Sequence, residues 1–244
     1  MAEAKQLVVV PYDSAGVALW NAVADLADGD LADRTGWCLV GGLMVQLFAF
    51  EYAARARSTT DIDVLADSRG RPSRTEEIAR HLKARGATMR TPARDGTAYQ
   101  FDFNGQLVEV LGPGGTGREA RTLGKLKTVS IPGGTQALKR MEEVVVVLGE
   151  RRVRLRRPNL TGAVLLKARS LAKHLDPESQ REDLVMLLSF IADPGAMRDE
   201  LSAGERGWLR SVRDRLDLDA PDASSRFPAE TLRRAQQAYR LLIR

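Results

Sequence analysis

Residues 39–64 read LVGGLMVQLFAFEYAARARSTTDIDV, and this stretch sets the expected fold. An apolar pair, Leu39 and Val40, runs into Gly41 and Gly42, and a helix-compatible segment follows from Leu43 to about Ala54. The polar run Arg57-Ser58-Thr59-Thr60 then feeds Asp61-Ile62-Asp63, with Val64 and Leu65 behind it. Alternate side chains of a strand share a face, so Asp61 and Asp63 fall on one side and Ile62 and Val64 on the other. Two carboxylates this close repel each other unless something positive lies between them, and a divalent metal answers that need. Glycines ahead of a helix leave backbone N–H groups open to a phosphate. The order glycine turn, helix, acid-bearing strand therefore implies metal-and-phosphate chemistry.

Phosphoryl and nucleotidyl transfer use metal ions held by hard oxygen ligands, so a third carboxylate is expected on a strand beside Asp61 and Asp63. Two candidates flank Asn104-Gly105, a strong hairpin signal: Asp102 in YQFDF and Glu109 in LVEVL. Glu109 interrupts the more continuously apolar strand, where a lone acid is costly to bury without a partner, and Glu109 is preferred. Lys167 lies in the apolar run AVLLKA, where a charge must snorkel, pair or reach a ligand. The ligand role is favoured. Arg57 and Thr59 are placed to steady a triphosphate, although loop polarity explains them equally well. Asp183 either orients Lys167 or sits in the first turn of a helix, where the dipole favours acids.

The 244 residues suffice for one large domain or two small ones, and 43% hydrophobic with 28% charged residues is ordinary for a water-soluble globular chain. No apolar run is long enough to cross a bilayer, and the N-terminal Leu7–Val10 stretch is too short for a secretory signal, so a cytoplasmic location is expected. The single cysteine, Cys38, reads as a buried, reduced thiol. A net charge of +5 favours an anionic partner such as a nucleotide or nucleic acid. The cluster Arg151, Arg152, Arg154, Arg156 and Arg157 reads as a strand with its charges on the outer face.

Periodicity predicts a helix over 14–28 capped by Ser14, strands at Trp37–Val40 and Asp61–Ala66, and an amphipathic helix over 74–85 ended by Gly86. The tract 112–122, GPGGTGREART, reads as a mobile loop. A second hairpin turns at Gly149-Glu150. Beyond Pro158 helices are expected at about 161–175, 180–192, 197–214 and 228–242, with breaks at Asp176-Pro177 and Asp193-Pro194-Gly195. The simplest partition is a mixed α/β module over 1–157 and a helical module over 158–244.

The G-G…D-x-D arrangement resembles the DNA polymerase β-type nucleotidyltransferase superfamily. The fuller pattern, GGLMV…RSTTDIDVLAD, then VEVLGP, then LLKARSL…REDL, is similar to the AbiEii-like nucleotidyltransferases, toxin components of type IV toxin–antitoxin systems. The similarity covers roughly 36–190. It implies an α+β fold, with a sheet-and-helix core followed by helices. It also implies that Gly41 and Gly42 hold nucleotide phosphates and that Asp61, Asp63 and Glu109 bind Mg²⁺ or Mn²⁺. By the same resemblance Lys167 contacts the triphosphate and Asp183 supports the site. The implied reaction moves a nucleotide from an NTP to an acceptor hydroxyl on tRNA or protein, and a cognate antitoxin is expected; one of the three acids, with Glu109 preferred, is read as helping to deprotonate the acceptor. Modification of an antibiotic hydroxyl, or a degenerate NTP-binding module, are the alternatives. Two departures stand out: the Gly42–Asp61 interval is long, and the third acid is Glu where Asp is commoner.

No Walker A sequence, nucleophile elbow or Cys/His metal spacing is present. The glycine tract GPGGTG lacks the following Lys-Ser/Thr of a phosphate loop.

Overall fold

The computed structural model describes residues 4–29, 31, 35–115, 119–124, 126–173, 178–219 and 226–244. The strands are β1 (Lys5–Val8), β2 (Trp37–Leu39), β3 (Asp61–Ala66), β4 (Thr88–Met89), β5 (Gln100–Phe103), β6 (Gln106–Pro113), β7 (Ser130–Ile131), β8 (Met141–Leu148) and β9 (Arg151–Pro158). The helices are α1 (Ser14–Leu26), α2 (Gly41–Glu51), α3 (Arg74–Ala84), α4 (Gly134–Lys139), α5 (Leu160–Leu171), α6 (Glu178–Ser189), α7 (Pro194–Glu200), α8 (Ala203–Arg210), α9 (Arg213–Leu216) and α10 (Ala229–Leu242). This is the expected mixed α/β class, with its helices gathered after Pro158.

The main sheet runs β2-β3-β6-β5-β4, with β7 joining β6, and a second sheet runs β1-β8-β9. Strand β3 lies parallel to β6 with Asp63 level with Glu109, and β5 is antiparallel to β6 with Gln100 level with Glu109. This register sorts the side chains. Ile62, Val64, Val108, Val110, Phe101 and Phe103 face one core with α1 and α3, while Leu65 and Leu111 face the other with α2 and the C-terminal helices. Each such buried side chain contributes about 1.5–3 kcal/mol, and the acids interrupt only the second face. The β5–β6 turn follows from its sequence: Asn104 and Gly105 both have positive φ, 49° and 75°, as a two-residue I′ hairpin demands.

Several local expectations change. The N-cap of α1 is Asp13, whose Oδ1 accepts from the Gly16 N–H at 2.7 Å, and Ser14 is the first helical residue. Helix α2 begins at Gly41 rather than Leu43 and stops at Glu51. The hairpin of β8 and β9 is longer than its apolar centre, because flanking Glu142 and Glu143 sit opposite Arg157 and Arg156 as cross-strand charge pairs. Gly112 and Pro113, expected in a loop, end strand β6, and a Cβ on Gly112 would come within 2.5 Å of the Ala120 Cβ. The expected helix over 197–214 is three helices, α7 to α9. Ser202 and Glu205 form a capping box that restarts the chain as α8. The break expected at Asp176-Pro177 lies outside the described residues.

The arginine cluster is not all on an outer face. Arg157 is fully buried, lying 3.6 Å over the Phe48 ring and paired with Glu51 and with Glu142 at 2.9 Å. Arg156 pairs with Glu143 and Arg151 with Asp25, both at 2.8 Å. Cys38 is buried, and burial pushes its thiol pKa far up, so it is protonated and inert. Among the described residues no helix is long and apolar enough to cross a membrane.

Candidate active site

The site begins where β2 turns into α2. The Val40 N–H donates to the Asp63 carbonyl at 2.9 Å, which pins the turn against β3. Gly41 has φ +66°, and a Cβ there would overlap the Asp63 carboxylate. A Cβ on Gly42 would lie 2.7 Å from Cβ of Thr59. Both glycines are therefore required by close approach, because the first turn of α2 rests directly on the acidic strand. No side-chain hydrogen bond caps this helix, and its first residues Gly41 and Gly42 line the cleft.

The long Gly42–Asp61 interval resolves into α2 and a returning loop. Gln46, buried on α2, accepts from Trp20 Nε1 at 3.1 Å and donates to the Arg57 carbonyl at 3.1 Å, and Tyr12 accepts from the Ala56 N–H at 3.2 Å. Those bonds hold Arg57-Ser58-Thr59-Thr60 along a cleft of about 460 Å³.

Carboxylate oxygens of Asp61, Asp63 and Glu109 lie within 4.8 Å of one another. Thr59 donates to Asp61 at 2.7 Å and Gln100 donates to Glu109 at 2.8 Å, which fixes the outer two acids. Burial, then the negative charges of Asp61 and Glu109, lift the Asp63 carboxyl to about 7. Burial also raises the Glu109 carboxyl above its ordinary value, against the Gln100 hydrogen bond. No Lys or Arg forms an ion pair with any of these three acids among the described residues. Asp102, the other candidate, is exposed and paired with Arg90 at 2.7 Å, at the sheet margin where β5 meets β4.

The opposite wall comes from the helical half. Lys167, 3% exposed, reaches Asp183 Oδ2 at 2.7 Å and Gln180 Oε1 at 3.2 Å. Asp183, 1% exposed, also accepts two bonds from Arg57, Nε to Oδ1 at 2.9 Å and the terminal nitrogen to Oδ2 at 3.0 Å. Burial opposes the Arg57 charge, but the bonds and charge of Asp183 outweigh it and raise the guanidinium pKa. Asp183 lies in the second turn of α6, past the first turn that a dipole role requires. Gly41, Gly42, Arg57, Thr59, Asp61, Asp63, Glu109 and Lys167 all line the one cleft, and Asp183 lies behind it as the shared anchor of two cations.

Sequence reasoning missed Gln100, Tyr99 and Gln180. Gln100 shares a face with Glu109 only through the hairpin register. Tyr99 lines the cleft, and burial followed by the charges of Glu109 and Asp63 raises its phenol pKa. The hairpin signal at Asn104-Gly105 contains the information for Gln100; nothing local marks the other two.

No protein-family model matches the sequence, and no curated protein matches it. Among solved structures the chain is similar to an antigenic nucleotidyltransferase-like protein from Paracoccidioides brasiliensis. The identity is 12% and the TM-score 0.48, over 92% of this chain and 95% of that one. The functional reading rests instead on the residues of the site.

Proposed function

We infer that this chain is a metal-dependent nucleotidyltransferase that moves a nucleotide from an NTP to an acceptor hydroxyl. The observation that carries the reading is the convergence of Asp61, Asp63 and Glu109 on one wall of a cleft whose other wall holds Lys167 and Arg57. Three mutually repelling carboxylates with no cationic side chain among the described residues paired to them fit a hard divalent cation. Mg²⁺ or Mn²⁺ held there would supply positive charge to the phosphates and acidify the acceptor hydroxyl.

The chain's own groups do the rest. The backbone N–H groups of Gly41 and Gly42 donate to phosphate oxygens, and Lys167 and Arg57 neutralise the β- and γ-phosphates. Asp183 fixes both cations in place, so little ordering remains to be done when the triphosphate arrives. Glu109, made more basic by burial and steadied by Gln100, takes the acceptor proton. The acceptor oxygen bonds to the α-phosphorus as the bridging oxygen to the β-phosphorus leaves with pyrophosphate.

The acceptor is proposed to be a tRNA or protein hydroxyl and the enzyme a toxin-like member of the AbiEii-like group, with an antitoxin encoded nearby. The GGLMV…RSTTDIDVLAD and LLKARSL…REDL motifs and the net positive charge support this finer reading. The test is incubation with each α-labelled NTP, Mg²⁺ or Mn²⁺, and total tRNA or cell lysate, resolved on a gel. Label should transfer with the parent protein and vanish with Asp61→Ala plus Asp63→Ala. Labelling that persists in that double variant would sink the proposed site.

A further inference from the structure

We propose that the apolar half of the cleft seats the nucleobase of the donor NTP, with Tyr99 as the residue that selects for a planar ring; this rests on the nucleotidyltransferase reading. The glycine turn, the two cations and the three acids answer to phosphate and metal. Tyr99, Leu111, Val129, Ile131 and Leu166 line the same cavity and have no part in that chemistry. Tyr99, Val129 and Ile131 are only partly buried, packed against the core that holds Leu111 and Leu166.

Strand register builds this platform. Strands β5 and β7 follow one another along the same side of β6. The Val110 N–H donates to the Tyr99 carbonyl at 2.8 Å, the Gly112 N–H to the Val129 carbonyl at 2.9 Å, and the Gly114 N–H to the Ile131 carbonyl at 2.8 Å. Ser130 is level with Gly112, so Val129 falls level with Leu111 and shares its face. Val129 to Ile131 spans roughly 7 Å and the step across to Leu111 adds roughly 5 Å, an area for one heterocycle. Leu111 lies two residues beyond Glu109 on the acid-bearing face, roughly 7 Å along the strand, which leaves the length of a sugar between acids and platform.

The chemistry of the lining decides the occupant. Apolar side chains with one aromatic among them suit a flat ring, and the aromatic offers a stacking face to any base. Among the described residues the Tyr99 side chain makes neither a hydrogen bond nor a ring contact, so its face is not committed elsewhere. Gln180, the amide in the lining, is bonded to Lys167 and Ser179, and the lining hydroxyls donate or accept alike. The platform therefore reads the ring and not its edge: purines are favoured over the smaller pyrimidines, and adenine and guanine are treated alike. Leu166 directly precedes Lys167, so the apolar wall continues from a cation that meets the phosphates. That continuity favours the donor's own base over an acceptor group.

The test is calorimetric titration of the full chain, in Mg²⁺, with ATP, GTP, CTP and inorganic tripolyphosphate. ATP should bind at least about tenfold tighter than tripolyphosphate and tighter than CTP, with GTP within about threefold of ATP. Tyr99→Ala should weaken ATP about tenfold and leave tripolyphosphate unchanged, whereas Tyr99→Phe should keep the ATP affinity. In the parent protein, nuclear Overhauser contacts should join the base protons of ATP to the Ile131 methyl groups, a readout that needs no variant. Equal binding of ATP and tripolyphosphate overturns the base assignment and leaves the phosphate reading standing. Failure of every triphosphate to bind overturns the phosphate reading, and the base assignment with it. Absence of the Overhauser contacts overturns the base assignment alone. So does a Tyr99→Ala protein that binds ATP normally but needs more acceptor in the labelling assay, because the platform then belongs to the acceptor.

Discussion

The carboxylate of Asp63 occupies the space that a Cβ on Gly41 would fill. The glycine and the acid are thus one feature: the first turn of α2 can approach Asp63 only because position 41 lacks a side chain. Gly41→Ala meets both this overlap and a φ of +66°. Its expected cost is about 2–4 kcal/mol in urea unfolding, and Mn²⁺ affinity by titration calorimetry should fall at least about tenfold because Asp63 is displaced. Unchanged affinity would show that the close approach is incidental.

Asp183 holds Lys167 and Arg57 together in the interior. Asp183→Ala leaves a nearly buried ammonium without its counter-charge, and a loss of about 3–5 kcal/mol is expected. Adding Lys167→Met should restore part of that stability without restoring nucleotide binding. Denaturant unfolding beside NTP titration separates the two; full additivity of the two substitutions would contradict the coupling.

Glu109 and Asp102 stand on the same face of the main sheet and differ in company. Glu109→Gln should lower the rate of nucleotidyl transfer at least about 100-fold, since it removes the proposed metal ligand and proton acceptor. Asp102→Asn, at an exposed ion pair, should change the rate by less than about twofold. Single-turnover labelling assays with both variants decide between them.

The pH dependence follows from Asp63. Its carboxyl has an ordinary value of 3.8 and lies at about 7 in the folded, metal-free chain. A raised carboxyl favours the folded state while protonated, so that contribution is complete below pH about 4 and is lost as pH rises through about 7. Metal-free protein should therefore lose stability between about pH 4 and 7, by a few kcal/mol at most. Asp63→Asn should flatten the curve, and Mn²⁺ should oppose the loss because binding replaces the proton. A melting temperature that rises over this range in metal-free buffer would contradict the assignment.

The acids were legible because strand alternation is a local rule. Asp61 and Asp63 share a face whatever surrounds them, and Asn104-Gly105 fixes which residues of β5 and β6 stand opposite, bringing Gln100 to Glu109. Lys167 was visible as a charge in an apolar run. Its partner was only one of two readings of Asp183, because sequence proximity cannot tell a dipole contact from an ion pair. The first break within the expected 197–214 helix is written in Ser202 and Glu205, a capping signal that restarts the chain as α8; no such local signal marks the second, between α8 and α9. Arg157 was misread for a different reason: alternation says that it faces opposite to Arg156, but not that Glu51, Glu142 and Phe48 await it inside.

By itself, then, the stretch from Leu39 to Val64 determined a glycine turn, a helix and a strand with two acids on one face, since each follows from backbone sterics within a few residues. Only tertiary structure decided that Arg57 would be held by Asp183, 126 residues later, opposite those acids. Burial makes an unpaired charge costly, and which charges are buried together is set by how α6 packs over the loop, a relation that spacing along the chain does not encode.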